Sequence, residues 1–97
     1  MKKEEIYKVV LDKVTEVTGL SGCDIIHSNR EECSDARFLL VRSLARFGLT
    51  DTEIGTIICR TRKGVAYIRQ HDARSSKWKV GSDWEAIRKW IGSNYFI

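Results

Sequence analysis

Residues 50–70 constrain the fold more than any other part of the chain, because their pattern predicts two short helices joined by a tight turn. The run Thr50-Asp51-Thr52-Glu53 has the form of a capping box, in which the threonine hydroxyl and the glutamate side chain satisfy each other's free backbone N–H groups. We expect a short helix to begin there and to end by Cys59. Thr61 can cap a second helix, over about 62–73. The pattern therefore predicts a helix-turn-helix.

The two predicted helices have the small and apolar residues that a steep crossing requires. Such a crossing needs a small residue where the helices touch, a small residue in the turn, and an apolar residue of the second helix inserted against the first. Gly55 stands at the predicted crossing, Cys59 in the turn, and Val65 ten residues after Gly55. Three isoleucines complete the predicted buried set, namely Ile54, Ile58 and Ile68. This spacing favours a helix pair of the kind that inserts its second helix into the major groove of DNA.

The outward face of the second helix carries side chains that suit base edges. If Val65 and Ile68 point inward, the residues about 100° or more away around the helix must project from it. Arginine and lysine donate to guanine, glutamine pairs with adenine, and alanine contacts the thymine methyl group. Tyr67 has two open interpretations, since it can contact DNA or cover the edge of the core. The predicted base-contacting residues are Arg62, Lys63, Ala66, Tyr67 and Gln70.

A second predicted set would hold the DNA backbone. Thr61 and the free N–H groups that begin its helix suit a phosphate, and Arg60 lies immediately before them. Gly64 either permits close approach of the backbone to DNA or is a glycine that the helix merely tolerates. Arg37 is expected to contact phosphate from the outer face of the preceding helix. Arg42 and Arg46 share that face, and all three arginines have the alternative role of keeping a helix face solvated.

The distribution of charge along the chain supports a polyanionic partner. The 17 basic and 13 acidic residues give a net charge of +4. Dividing the chain after Ala36 separates 5 basic and 8 acidic residues from 12 basic and 5 acidic ones, so that −3 precedes +7. Residues 60–79 contain seven cations and one acid, Asp72. A cluster of this density is typical of nucleic-acid binding, although a solvated helix face is the alternative.

The remaining pattern predicts helices and no clear strand. Residues 4–17 have the apolar spacing of an amphipathic helix that stops at Gly19, and a turn or two of helix follows near Ile25. Ser34 is the predicted N-cap of a long helix that runs to about Phe47. Its predicted stop is Gly48.

A second capping-box pattern, Ser82-Asp83-Trp84-Glu85, predicts the start of a final helix whose tryptophans Trp84 and Trp90 join the core. The run 77–80 is long enough for a small wing only. We therefore expect an all-α helix-turn-helix bundle of about five helices and one partial turn. It would form a single domain over 1–97, with 82–97 as an additional helix and tail.

Catalytic, metal and membrane functions are disfavoured. Cys23, His27 and Cys33 lack the spacing of a zinc site, and Cys59 and His71 are distant in sequence, so we expect buried or inert thiols and no cofactor. No nucleophile, base and acid set suggests an enzyme. The chain has no apolar run of 18 residues, and its N-terminal residues do not resemble a signal peptide. We expect a cytoplasmic, nucleoid-associated protein.

Several segments occur in an order that carries a family resemblance. Leu49-Thr50-Asp51-Thr52-Glu53-Ile54-Gly55 matches a leucine-x-x-x-glutamate-isoleucine-glycine pattern and is the most specific. The following segment 60–68 is similar to an arginine-aspartate-histidine-serine/threonine-threonine-valine signature, with Arg60 and Val65 on its arginine and valine. Earlier come the helix from Ile6 to Val17, the runs Thr18-Gly19-Leu20 and Asp24-Ile25-Ile26, and the basic helix from Ala36 to Phe47. In this order residues 6–74 resemble the C-terminal DNA-binding domain of the bacterial replication initiator DnaA, whose fold is similar to that of the Trp repressor.

The resemblance implies sequence-directed binding of double-stranded DNA. Thr61 and Arg62 stand where the family has aspartate and histidine, and Lys63-Gly64 where it has two hydroxyl residues, so the family's DNA-site specificity is not carried over. The family also implies a phosphate- or minor-groove-contacting arginine at Ala36 or Arg37. The resemblance does not imply ATP-driven origin melting, because these 97 residues contain no counterpart of the family's ATPase domain.

We therefore expect a small transcriptional regulator or an accessory of replication initiation that binds duplex DNA, with a homodimer as one arrangement. The alternative from another class is a protein-interaction domain on the same helical scaffold. Its contact surface would be the Trp84/Trp90 helix or the C-terminal residues Tyr95-Phe96-Ile97. Such residues are unusual at a surface unless a partner covers them.

Overall fold

The chain forms six helices within the residues that the computed structural model describes, which are 2–71, 74 and 76–95. No strand occurs in these residues, so the predicted all-α class is confirmed. In chain order the helices are α1 (Lys3–Thr18), α2 (Gly22–His27), α3 (Glu31–Arg46), α4 (Asp51–Ile58), α5 (Arg62–Gln70) and α6 (Trp78–Tyr95). None of them combines the length and the hydropathy that crossing a bilayer requires, as far as the described residues extend.

Helix α3 is the centre of the fold. It packs against each of the other five helices, and nine of its 16 residues are buried. Phe38, Leu40 and Leu44 are completely buried and are joined by Val10 and Val14 of α1 and by Ile87 and Ile91 of α6. Burial of one such side chain stabilises a fold by about 1.5–3 kcal/mol. The helix-turn-helix is therefore attached to a core that α1, α3 and α6 build together.

The predicted starts of α3 and α6 are both wrong, because the buried face of each helix extends to residues before its predicted N-cap. Helix α3 begins at Glu31, with Arg30 as an N-cap that makes no side-chain capping bond, and not after Ser34. Cys33 is completely buried, so the packed face extends one turn earlier than the strongest cap signal. Glu31 and Glu32 also lie in the first turn, where negative charge suits the helix dipole. Tertiary burial thus outweighs a local cap.

Helix α6 likewise begins at Trp78 and not at the capping-box pattern of Ser82. Val80 is buried on the same face as Ile87 and Ile91, which adds a turn of apolar contact before Ser82. The segment 78–80 is therefore helical and forms no wing. Helix α5 ends at Gln70, three residues before the predicted end, and residues 72 and 73 lie outside the described part of the chain.

Candidate nucleic-acid interface

Local sequence builds the helix-turn-helix much as predicted. Thr50 Oγ1 accepts from the Glu53 N–H at 3.2 Å and Glu53 Oε1 accepts from the Thr50 N–H at 2.9 Å, which completes the capping box. Helix α4 ends at Ile58, and Cys59 adopts the left-handed conformation with φ 59°. The Thr61 side chain then accepts from the Gly64 N–H at 3.0 Å and caps α5. Three residues, 59–61, separate the two helices.

Gly55 is required by the turn itself. The backbone N–H of Arg60 donates to the Gly55 carbonyl at 2.9 Å, which folds the turn back onto α4. A Cβ atom on Gly55 would collide with the carbonyl oxygen of Arg60, which is backbone and has little freedom to move. Val65, the predicted inserted residue, is completely buried, as are Ile54 and, to within 2%, Ile58. Ile68 packs against this core while partly exposed.

Helix α5 presents one continuous exposed face. Val65 is its buried residue, and Ile68 and Arg69 lie on the same side. The predicted base-contacting residues extend from the flank of the helix at Arg62, about 20° from Arg69, to the side opposite Val65. Four of them are exposed and Ala66 is half-buried between them: Arg62, Lys63, Ala66, Tyr67 and Gln70. At 3.6 residues per turn these five positions span about 140° of the helix, which is wide enough to line a groove.

Tyr67 does not cover the core. Its side chain is 67% exposed, and its ring makes an edge contact with the His71 ring at a centroid distance of 5.2 Å. Of the two open interpretations, the placement of the ring favours a residue available to a partner. It remains a prediction that this partner is DNA.

Ion pairs divide the basic segment 60–79 into two groups. Arg69 pairs with Asp51, Arg74 and Lys77 pair with acids at the start of α3, and Lys79 pairs with Asp83. By contrast, the side chains of Arg62 and Lys63 form no ion pair and no hydrogen bond with any described residue. The uncompensated charge is therefore smaller than the sequence count suggests. It lies at the beginning of α5.

The predicted position of the Arg37 side chain is wrong. The sequence predicts it on the outer face of its helix, yet it is only 6% exposed. Its contact with phosphate stays a prediction. Its Nε donates to the Ile25 carbonyl at 2.8 Å and its Nη2 to the Ser28 carbonyl at 2.6 Å, so the guanidinium ties α3 to the end of α2. Burial lowers the pKa of Arg37, and the neighbouring charge of Arg60 lowers it further. Because guanidinium remains protonated even so, a buried cation results.

The other predicted backbone contacts lie nearer the surface. Arg60 is exposed, and its Nη2 donates to the Ile26 carbonyl at 3.0 Å. Thr61 is exposed, with its hydroxyl engaged in the cap of α5. Gly64 is half-buried, and a Cβ there would meet Thr61 Oγ1 at 3.2 Å. Arg42 is not a free surface arginine, because its guanidinium stacks on the ring of Trp84 at 4.7 Å.

A pocket of about 260 Å³ adjoins the exposed face of α5. Arg60, Gly64 and Tyr67 line one side of it, and Arg37 lies at its inner wall. The sequence did not predict its other polar lining residues, which are Ser34, His71 and Arg74. They come from the first turn of α3 and from the end of α5 onward, so only the packing of α3 against α5 brings them together.

The thiols and histidines do not assemble a metal site in the described residues, where no cluster of three or more potential ligands occurs. Cys33 is buried, whereas Cys23 and Cys59 are exposed. All three are free thiols.

The aromatic residues of α6 are largely directed inward. Trp84 and Trp90 are half-buried against the core, and Tyr95 makes edge contacts with Phe47 and Trp90. Trp78 is the exception, with 85% of its side chain exposed. Phe96 and Ile97, which belonged to the alternative contact surface, lie outside the described residues.

Comparison of the chain with protein-family models, with curated proteins and with solved structures finds no match.

Proposed function

We propose that this protein binds double-stranded DNA through its helix-turn-helix, with α5 entering the major groove. The observation that carries the proposal is the continuous exposed face of α5, on which Arg62 and Lys63 have no ion-pair partner within the described chain. Arg62 lies close enough to Asp51 to help lower the pKa of that carboxyl, but Asp51 is already ion-paired with Arg69. Positive charge therefore remains at the exposed start of α5, which suits a polyanion. The order of segments that resembles the DNA-binding domain of DnaA supports the same function.

Each part of the interface has a stated role. Arg62, Lys63 and Gln70 contact base edges as hydrogen-bond donors, and Ala66 contacts a thymine methyl group. Thr61 and the first N–H groups of α5 lie against a phosphate. Arg60 holds a phosphate beside them, and Tyr67 meets base edges together with the other exposed residues of α5. In this function the protein acts as a regulator of transcription or as an accessory of replication initiation, located at the nucleoid.

Salt dependence of binding to duplex DNA tests the proposal. Fluorescence anisotropy with a labelled random-sequence duplex at about 50 and 200 mM salt is expected to give a steep fall in affinity. The variant Arg62→Ala/Lys63→Ala is expected to bind more weakly and to reduce the slope of log affinity against log salt by about 1–2. Selection of sites from random duplexes then identifies the preferred sequence.

A matched control separates the surface from net charge. Lys8→Ala/Lys89→Ala removes two exposed lysines from α1 and α6 and changes the net charge by the same amount. Its affinity and salt slope are expected to stay near those of the parent protein. The absence of binding at about 50 mM salt, or an equal loss in the control, would contradict the proposal.

A second candidate function is a protein contact, and Trp78 is the observation that favours it. An indole with 85% exposure presents a large apolar surface to solvent. In that case the mass in solution rises with concentration, is insensitive to salt, and falls back to a monomer in Trp78→Ser. Sedimentation of the parent and Trp78→Ser proteins distinguishes this from DNA binding, and a homodimer that binds two half-sites is compatible with both.

A further inference from the structure

The pocket between the first turn of α3 and helix α5 concentrates positive charge. Three guanidinium groups line it, those of Arg37, Arg60 and Arg74, together with the imidazole of His71 and the hydroxyl-bearing Ser34. Among them only Arg74 is ion-paired in the described chain, to Asp35 at 2.7 Å and to Glu31 at 3.3 Å. Two of the three guanidinium groups, those of Arg37 and Arg60, therefore have no ion-pair partner among the described residues.

We propose that this pocket binds a phosphate group. Part of the proposal rests on the proposed function, namely that the phosphate can belong to a DNA backbone lying along α5. A free phosphate ester offers the same chemistry. In either case Arg60 and Arg74 contact the oxygens from the rim, and the inner wall is formed by Arg37.

The hydrogen-bond geometry of Arg37 is stronger evidence for anion binding in this pocket than the number of positive charges. Two of its N–H groups donate to the carbonyls of Ile25 and Ser28, and no described residue accepts from the remaining ones. A guanidinium group has five donors in a planar fork, which matches the oxygens of phosphate. A cation buried to this degree is costly unless it is paired. The described residues leave no buried side-chain nitrogen or oxygen without a hydrogen bond, so the N–H groups of Arg37 that have no described acceptor are open to the pocket, where a bound phosphate would accept from them.

The electrostatic surroundings of Arg37 agree with this geometry. Burial lowers its pKa, and repulsion by the guanidinium groups of Arg60 and Arg74 acts in the same direction. The Cys33 side chain acts in the opposite direction. Like charges that are held together in a partly desolvated pocket form a site where an anion is favoured, as in many phosphate-binding clusters of arginine.

The size and the position of the pocket define what it can accept. A volume of about 260 Å³ has room for a phosphate together with part of the sugar or other group that carries it. Gly64 and Tyr67 belong both to its lining and to α5, so a phosphate bound here lies beside the face proposed to meet base edges. A phosphodiester and a phosphate monoester would both reach the arginines.

Titration with inorganic phosphate tests the site without DNA. Phosphate binding is followed through the NMR signals of the arginine side-chain Nε–H groups. Phosphate replaces chloride during the titration, so that the ionic strength stays constant. Saturable shifts are expected at Arg37, Arg60 and Arg74. Ser34→Glu places a carboxylate in the lining and is expected to raise the dissociation constant at least about tenfold, because it competes for the same cations.

The matched control is Ser82→Glu, which adds the same charge to an exposed position early in α6 and is expected to leave phosphate affinity unchanged. If Ser34→Glu does not fold, Arg60→Gln replaces it, since Arg60 is exposed. The absence of saturable shifts at the three arginines would overturn the site. An equal loss in Ser82→Glu would do the same.

Duplex DNA binding by the same variants identifies the source of the phosphate. If Ser34→Glu weakens both phosphate and duplex binding, the site takes a backbone phosphate. If phosphate binds but the duplex does not, the site takes a free phosphate ester, and the proposed function is overturned as well. If both bind and Ser34→Glu leaves the duplex affinity unchanged, the site again takes a free phosphate ester. If the duplex binds, phosphate does not, and Ser34→Glu leaves the duplex affinity unchanged, the phosphate site is overturned while the proposed DNA binding stands.

Discussion

The guanidinium group of Arg69 forms a two-pronged contact with the carboxylate of Asp51, at 3.0 Å from Nε to Oδ1 and 2.9 Å from Nη2 to Oδ2. Asp51 is the first residue of α4, and Arg69 lies in the last turn of α5. The contact therefore joins the two helices of the motif at the end opposite their turn. It also lowers the pKa of Asp51 and removes Arg69 from the set of cations available to DNA.

A double-mutant cycle measures this contact. Asp51→Asn, Arg69→Gln and the double variant are compared by urea denaturation, and a coupling free energy of about 1 kcal/mol or less is expected. The two-pronged geometry places it in the upper part of the range for exposed pairs, while solvent screening limits it. A coupling of zero would show that packing alone orients α5 on α4.

Gly55→Ala is expected to destabilise the fold by about 1–3 kcal/mol, because the added Cβ meets the carbonyl oxygen of Arg60. Alanine has the higher helix propensity, so propensity alone predicts the opposite sign. Gly92→Ala is the control, since a Cβ there meets nothing within 4 Å and the same substitution should stabilise α6 by up to about 1 kcal/mol. Thermal unfolding of both variants checks the two signs.

Arg37→Met is expected to cost about 2–4 kcal/mol in urea denaturation. It would leave the Ile25 and Ser28 carbonyls without their donor, and hydrogen bonds to charged groups contribute about 1.5–3 kcal/mol each. Removal of a buried cation offsets part of that loss. Arg62→Met is the matched control, because its side chain is exposed, and should change stability by less than about 0.5 kcal/mol. Equal stability of the two variants would refute the structural role of Arg37.

Thr50→Ala and Ser82→Ala distinguish a functioning cap from a sequence that only resembles one. Thr50 caps α4 through a reciprocal capping box, so its loss should cost about 0.5–2 kcal/mol. Ser82 lies within α6, where alanine is the better helix former, so its replacement should be neutral or slightly stabilising. If Ser82→Ala costs as much as Thr50→Ala, then α6 begins later than Trp78.

Acid is expected to weaken the attachment of α1 to α4. A hydrogen bond from Lys3 lowers the pKa of Glu53 from 4.5 to about 2, and the Thr50 N–H contributes further. A carboxyl whose pKa is lower in the folded state stabilises the fold above the unfolded pKa. That contribution is lost as the pH falls from about 4.5 to about 2.

Thermal unfolding measured from pH 6 to about pH 2 checks this expectation. The parent protein should lose stability more steeply in that window than Glu53→Gln, which cannot titrate. The side chain of Lys3 is more than half exposed, so the difference should be small and should shrink at high salt. Identical pH profiles would contradict the assignment.

Much of the helix-turn-helix was predictable because its determinants are local. The capping box of Thr50, the cap at Thr61 and the close approach at Gly55 each act over three to five residues. The face of α5 followed from helical periodicity once Val65 was assigned to the core. Whether that face meets DNA remains a prediction.

The sequence by itself determined the all-α class, the two helices of the motif and which side of α5 faces outward. Only the tertiary structure decided which arginines are available, because their partners lie far away along the chain. Arg37 reaches back 12 residues to Ile25, Arg69 reaches 18 to Asp51, and Lys77 reaches 46 to Glu31. Burial against α3 likewise moved the starts of α3 and α6 ahead of their strongest cap signals. Local backbone preferences can be read from neighbouring residues, whereas ion pairing and burial depend on which distant segments the core brings together.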